Sequence, residues 1–202
     1  MKTIKLISLF VLGLLSSCSQ EKEEITTSVW GKVINPKGDN VSLRLQDTTI
    51  TTSLDSVGNF QTDVPIYKAE KVVFAHGEEI STMYLRPGDQ LSLTIDPTEF
   101  DETLQYEGEG SAINNFLASI VLMEDTLENI AQLAVLPEDS FLIEFRNTYV
   151  KKENALENSA ITDQDFKDWY LKNNDWEFYF NLLNYPAYRS RVTQENFEPS
   201  GN

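Results

Sequence analysis

The sequence predicts an α+β protein in which an N-terminal antiparallel β-sandwich is followed by a small region of about three helices. From Ile25 to Gly108, apolar residues recur at every second position in short runs separated by turn residues, as in half-buried strands. After Gly110 they recur every three or four positions, which is the spacing of an amphipathic helix. This change of period divides the chain into a sandwich domain, residues 25–108, and a helical domain, residues 109–188.

The sandwich domain contains a series of short strand patterns. Val41, Leu43 and Leu45 alternate with polar residues, which is typical of a strand with one face in a core. Asp55–Gly58 and Pro87–Asp89 have the composition of tight turns, so each separates two strands. The predicted strands cover residues 29–34, 41–46, 48–54, 59–64, 71–75, 80–85, 90–95 and 103–106.

Three helices are predicted in the second domain. Ser111 can cap the first helix. Pro137 occupies the first position of the second helix and is followed by Glu138 and Asp139 in its first turn. Thr162-Asp163-Gln164-Asp165 resembles a capping box and begins the third. The predicted helices cover residues 111–133, 137–158 and 162–184, and residues 189–202 are expected to form a linker or tail.

Aromatic residues crowd the third predicted helix. Phe166, Trp169, Tyr170 and Phe180 share a face, and the simplest interpretation is a core face packed on neighbouring elements. The alternative is an exposed surface for a partner or a carbohydrate, because exposed aromatic patches mark binding sites. The candidate residues of that surface are Trp169, Tyr170, Trp176 and Tyr179.

Residues 1–17 have the composition of a bacterial secretory leader. Lys2 precedes an apolar run, Ile4–Leu15, and Lys5 lies near its start. The run is shorter than the roughly 20 residues of a transmembrane helix. Leu15-Ser16-Ser17-Cys18 resembles a lipobox, which implies lipidation of Cys18 and attachment to a membrane. Residues 18–24 then form the lipidated cysteine and a polar tether. We expect a lipid-anchored protein of the cell envelope, on either the periplasmic or the surface face of the outer membrane.

Composition excludes several kinds of chemistry. The net charge is −16, and it becomes −18 when the leader is removed, with 14 basic against 32 acidic residues. Such a surface repels nucleic acid. Cys18 is the only cysteine, which excludes a disulfide, a Cys-x-x-Cys pair and a thiolate metal site. His76, the only histidine, ends an apolar strand pattern and is predicted to be structural or exposed rather than catalytic. The acidic segment 96–102 lacks the spacing of a calcium loop. We therefore predict no catalytic residue, no metal site, no cofactor and no enzymatic activity.

Several short motifs follow one another in an order that resembles a known family. They are Gly31-Lys32-Val33, Leu54–Phe60, Tyr84–Leu93, Phe100–Leu104, Tyr106–Gly110 and Asn114-Asn115-Phe116-Leu117. Their order is similar to the N-terminal region of TlpA-like thiol–disulfide oxidoreductase lipoproteins of the Bacteroidetes type. In that family a β domain and a helical spacer precede a thioredoxin domain, which carries the catalytic Cys-x-x-Cys. No such pair follows here, so no catalytic residue carries over.

The resemblance covers roughly residues 1–190 and implies a non-catalytic accessory module. Such a module positions a thioredoxin-like domain or binds its protein client. Both a truncated member of the family and a module that stands alone fit the sequence. The alternative function is a carbohydrate- or peptide-binding lipoprotein of the envelope that acts by itself.

Overall fold

The computed structural model describes residues 26–127 and 129–200 of the chain. The predicted leader and tether, including Cys18, lie outside the described residues. The strands are β1 (Thr27–Val33), β2 (Asn40–Arg44), β3 (Thr49–Ser53), β4 (Asn59–Val64), β5 (Glu70–His76), β6 (Glu79–Leu85), β7 (Gln90–Ile95) and β8 (Gln105–Gly108). The helices are α1 (Phe100–Thr103), α2 (Ser111–Asp125), α3 (Ile130–Leu133), α4 (Glu138–Glu157) and α5 (Gln164–Thr193).

The strands form two four-stranded sheets, in the orders β4-β1-β7-β8 and β3-β2-β5-β6. All strand pairs are antiparallel except β1 and β7, which run parallel from the Ser28–Gln90 pair to the Val33–Ile95 pair. The predicted α+β class is confirmed, and the β1–β7 pair is a parallel exception within mostly antiparallel sheets. A parallel pair requires a long connection, and here the entire second sheet and β4 lie between β1 and β7 in the chain.

The two sheets share one apolar core. Leu91 and Leu93 enter it from one sheet, and Phe74 and Met83 enter it from the other, all at most 1% exposed. The rings of Phe60 and Phe74 meet between the sheets, with their centres 6.0 Å apart. Successive side chains of a strand point to opposite faces of the sheet. The apolar residues that alternate with polar ones in the sequence are therefore the ones that each sheet buries.

The side chains of Asn114 and Asn115 attach α2 to the edges of both sheets. Asn114 Oδ1 accepts from the Tyr84 N–H at 2.8 Å, and its Nδ2 donates to the Tyr84 carbonyl at 3.1 Å, on edge strand β6. Asn115 bonds Tyr106 of edge strand β8 in the same way, with both distances 2.8 Å. Each amide takes the place of a further strand at one residue, so edge groups that would lack partners are satisfied.

The last strand and the start of α2 differ from the prediction. The chain forms the short helix α1 up to Thr103, and β8 begins at Gln105 rather than at residue 103. The N-cap of α2 is Gly110, with φ of 90°, and Ser111 is the first helical residue instead of the cap. A positive φ is accessible to glycine at little cost, and this conformation turns the chain from β8 into α2.

The predicted first helix consists of two helices. α2 ends at Asp125, and α3 begins after Asn129. The Asn129 side chain accepts from the Gln132 N–H at 3.0 Å, and the Gln132 side chain accepts from the Asn129 N–H at 2.8 Å. This capping box satisfies the free N–H groups of a new helix start, and hydrophobic periodicity does not reveal such a restart.

The second and third predicted helices correspond to α4 and α5. Pro137 is the N-cap of α4 rather than its first residue. Asp163 caps α5, where its carboxylate accepts from the Phe166 N–H at 2.9 Å. The predicted end of the third helix near residue 184 is wrong, because α5 contains 30 residues and continues through Pro186 to Thr193.

Contacts with α3 and the following loop hold the last turns of α5. Arg189 Nη1 donates to the Ala134 carbonyl at 3.1 Å and also to the Leu136 carbonyl. The Arg189 guanidinium lies over the Phe197 ring, 4.7 Å from its centre. The first residues of the segment predicted as a linker, 189–193, are therefore helical and packed.

Candidate functional site

The aromatic residues of α5 separate into buried and exposed groups along the helix. Phe166 and Tyr170 are 0% and 7% exposed and pack in a cluster with residues of β6 and α2. Trp169 is partly buried, with its ring 5.0 Å from the ring of Tyr84. Tyr170 therefore cannot present its ring to a partner, and its place in the predicted binding surface is wrong. Trp169 lies at the border of the cluster.

The other two predicted surface residues are exposed. Trp176 is 68% and Tyr179 is 58% exposed. Phe180, predicted to be in the core, is 61% exposed, and Leu183 next to it is 81% exposed. These four residues, spaced i, i+3, i+4 and i+7, lie on one face of the helix. We call Trp176, Tyr179, Phe180 and Leu183 the outer stripe.

The core prediction fails at Phe180 because the partners of α5 change along its length. Its first turns face β6 and α2, where Phe166 is buried. Its later turns face α3 and α4, where Tyr185 is buried and Phe178 packs against Phe145, with ring centres 5.3 Å apart. The buried face thus rotates around the helix. Spacing within the helix cannot show this rotation, because it depends on elements elsewhere in the chain.

A charged cluster joins α2, α4 and α5. Lys152 of α4 is 5% exposed, and its ammonium bonds Glu124 of α2 and Glu177 of α5, the latter at 3.4 Å. The same ammonium lies 4.8 Å from the centre of the Tyr149 ring. Burial raises the pKa of Tyr149 to about 12, against the opposing hydrogen bond from Asn181. One buried cation thus pairs with carboxylates from two other helices, and removal of either partner would weaken the compensation of its buried charge.

Two buried polar atoms beside this cluster have no hydrogen-bond partner. They are the hydroxyl of Tyr170 and Oδ1 of Asn174, one helical turn apart on α5. Burial raises the pKa of the Tyr170 hydroxyl, and the charges of Glu124 and Glu177 raise it further. The Asn174 amide nitrogen donates to Glu153 at 3.2 Å. A buried polar group without a partner destabilises the fold.

An ion-pair network fixes the start of α5 to the sandwich. Arg86 Nη1 lies 2.8 Å from an Asp163 carboxylate oxygen, and Nη2 lies 3.0 Å from Asp89. The hydrogen bond from the Phe166 N–H lowers the pKa of Asp163, and Arg86 lowers it further. Burial alone would lower the pKa of Arg86, but its hydrogen bonds to both carboxylates raise it overall. Sequence analysis did not identify this network, because its members are distant in the chain.

His76 is buried, so of the two predicted environments, structural and exposed, the structure has the structural one. The ring is 1% exposed, and Nε2 accepts from the Lys37 N–H at 2.9 Å. Nδ1 lies 2.9 Å from the Asn40 carbonyl, so in the neutral ring Nδ1 carries the proton. Both nitrogens therefore bond the main chain between β1 and β2.

The acidic segment 96–102 forms a turn and the short helix α1. One Asp96 carboxylate oxygen accepts from the Thr98 N–H at 3.0 Å, and the other accepts from Asn35 at 2.8 Å. The Thr98 N–H lowers the pKa of Asp96 most. Pro97, in the same turn, is buried. Within residues 26–127 and 129–200, no group of three or more His, Cys, Asp or Glu side chains is arranged to hold a metal ion.

None of the helices in the described part of the chain combines the length and the hydropathy that a membrane crossing requires. Comparison of the chain with protein-family models, with curated proteins and with solved structures gives no match.

Proposed function

We propose that this chain is a lipid-anchored, non-catalytic module of the bacterial cell envelope, which holds a partner protein domain on the outer stripe of α5. Cys18 is the anchor, and the polar residues after it connect the anchor to the sandwich. The order of motifs that resembles TlpA-like lipoproteins favours a thioredoxin-like domain, or its protein client, as the occupant.

The observation that carries the proposal is the outer stripe itself. Its four large apolar side chains are neighbours on one helix face, and each is more than half exposed. Single exposed apolar residues are ordinary, whereas a contiguous patch marks an interaction surface. Aromatic residues are also enriched in the centres of protein–protein interfaces. The stripe therefore has the composition of an interface centre.

Charge favours a protein over an anionic membrane as the occupant. Asp175 and Glu177 are exposed on both sides of Trp176, and the chain carries a net charge of −16. An anionic lipid surface would be repelled. A protein groove with an apolar floor and a basic rim complements both the stripe and its acidic border.

The environment of His76 supports a non-catalytic role. Both ring nitrogens are engaged by the main chain, at 2.9 Å each, and the ring is buried. The single histidine of the chain is therefore not placed to move a proton to or from a bound molecule. We expect residues 19–202 to show no turnover of a disulfide substrate above a buffer control. Measurable turnover would contradict the non-catalytic assignment.

Membrane fractionation tests the anchor. In a Gram-negative host, the wild-type chain is expected in the membrane fraction, and Cys18→Ser is expected in the soluble fraction, because the lipid chains supply the attachment. A Cys18→Ser variant that remains with the membranes would show that another feature holds the protein there.

Photo-crosslinking tests the stripe. A photoreactive phenylalanine at position 180 is compared with one at position 143, since Phe180 and Ile143 are both 61% exposed and lie on different helices. In the native host we expect a discrete adduct from position 180 alone, and loss of this adduct when Trp176→Gln is added. A thioredoxin-like polypeptide in the adduct supports the proposed occupant. The same adducts from both positions, or none from position 180, would refute a docking role.

A further inference from the structure

Trp30 lies on the outer face of the sheet that contains β1, away from the core. Its neighbours across the strands are Gln61 of β4 and Ser92 of β7. The next outward row contains Asn59, Lys32 and Thr94 in the same strands. Apart from Trp30, which is 36% exposed, this face is formed by polar side chains. Trp30 therefore presents a partly exposed aromatic ring among polar side chains on this face.

These six residues form the floor of a shallow trough of about 700 Å³. Its side wall comes from the end of β3 and the turn that follows, including Thr52 and Asp55. The volume is in the range of small-ligand sites. With strands about 4.8 Å apart and outward residues about 7 Å apart along each strand, the floor measures roughly 10 Å by 7 Å, about the footprint of a disaccharide.

The trough is close to neutral although the protein is strongly acidic. Lys32 and Asp55 are the charged residues that line it. The Asp55 carboxylate already accepts from the N–H groups of Val57 and Asn59, at 2.9 and 2.8 Å, and from the Asn59 amide at 2.9 Å. The other polar side chains of the lining are amides and hydroxyls, which can donate and accept hydrogen bonds without favouring either charge. Leu54, Phe60 and Leu93 add apolar surface to the lining.

This chemistry selects among the classes of ligand. An anionic ligand would be repelled by a chain of net charge −16. An apolar protein surface would leave the amides and hydroxyls of the floor without hydrogen-bond partners. A neutral sugar has apolar C–H faces that pack on an aromatic ring and hydroxyls around its rim that bond amides and hydroxyls.

We propose that the trough centred on Trp30 binds a neutral oligosaccharide, with one sugar ring stacked on the Trp30 indole and its hydroxyls bonded to Gln61, Asn59 and Thr94. The site is distinct from the outer stripe, which is on α5 in the helical region. It adds glycan recognition to the module and does not depend on the partner domain proposed above.

Titration calorimetry of the full chain tests the site, in a detergent that has no sugar headgroup. The probes are neutral hexasaccharides of α-1,4-glucose, β-1,4-glucose, mannose and N-acetylglucosamine, with oligogalacturonate as the acidic counterpart. We expect saturable binding of at least one neutral probe, with a dissociation constant in the range of about 0.1–1 mM that is usual for weak complexes. We expect no binding of oligogalacturonate.

Variants locate the binding. Trp30→Ala is expected to weaken it at least about tenfold through loss of the stacked ring, and Gln61→Ala about two- to tenfold through loss of one hydrogen bond. Tyr67→Ala is the matched control, because Tyr67 is an aromatic residue that is 88% exposed between β4 and β5 and does not line the trough, and it should bind as the wild type does. Should Trp30→Ala not fold, Gln61→Ala and Thr94→Ala test the same floor through exposed side chains. The proposal is overturned if no neutral probe binds at about 10 mM, if oligogalacturonate binds equally well, or if the floor variants bind like the wild type.

Discussion

Replacement of Phe166 by alanine is expected to destabilise the protein strongly, whereas the same replacement at Phe180 on the same helix is expected to have little effect. Phe166 is 0% exposed, and its ring lies 5.2 Å from that of Tyr84 and 6.0 Å from that of Phe116. Tyr84 belongs to β6 and Phe116 to α2, so Phe166 joins the sandwich to the helical region.

The magnitude follows from burial. Truncating a fully buried phenylalanine to alanine costs about 3–5 kcal/mol, since the transfer free energy of the ring is lost and a cavity remains. In a protein of this size, about 1 kcal/mol lowers the melting temperature by roughly 2–4 °C, so Phe166→Ala should lower it by roughly 6–20 °C. Phe180 is 61% exposed, and exposed substitutions usually change stability by less than about 0.5 kcal/mol.

Thermal and urea unfolding of the two variants and the wild type, followed by circular dichroism, measure the difference. Both variants should show the wild-type spectrum at low temperature. An unchanged midpoint for Phe166→Ala would refute the assignment of the junction core. A loss of several kcal/mol in Phe180→Ala would show that the outer stripe is packed in the folded chain and is not free for a partner.

Three further outcomes are expected. Asn114→Ala leaves the buried N–H and carbonyl of Tyr84 without partners, so it should cost about 1–3 kcal/mol in urea unfolding; an unchanged free energy of unfolding would show that the amide does not hold α2 to β6. The pKa of Asp163 is lower in the folded protein than in the unfolded chain, mainly because its carboxylate accepts the N-cap hydrogen bond. The ionised carboxylate therefore stabilises the fold above about pH 4, and this stabilisation is lost as the pH falls through the folded-state pKa. Asp163→Asn should therefore be less stable than the wild type near pH 7 and should converge with it in acid; a pH-independent difference would contradict this linkage. Gly58→Ala should cost more than about 2 kcal/mol, because φ is +86° and a Cβ would lie 2.3 Å from a carbonyl oxygen, whereas Gly38→Ala, with nothing within 4 Å, should be nearly neutral.

Elements with a local cause were predictable from the residues. Val41 and Leu43 alternate with polar residues in the chain and are buried in β2. Asp55 and Gly58 form the expected turn, in which the carboxylate bonds the main chain two residues on. α5 begins within the predicted capping segment 162–165, although the cap is Asp163 and not Thr162. In each case the interaction that determines the structure lies within a few residues, so the sequence contains the whole cause.

Other features depend on residues that are distant in the chain. The parallel pairing of β1 with β7 forms only because the second sheet occupies the intervening sequence. The side-chain amides of Asn114 and Asn115 bond main-chain groups of two edge strands, β6 and β8, that are distant in the sequence. α5 ends beyond Pro186 because later turns pack on α3 and on the loop before α4.

The candidate sites show the same division most clearly. From composition and the spacing of apolar residues, the chain is an acidic α+β protein with an aromatic third predicted helix, and lipidation at Leu15–Cys18 remains a prediction. The exposure of Phe180 and the burial of Tyr170 were decided by which elements cover each turn of α5. The position of Trp30 among amides and hydroxyls was decided by strand register. Secondary-structure propensity acts over a few residues of sequence. The exposure of a side chain depends on the tertiary packing of elements from the whole chain, and a binding surface requires exposed side chains.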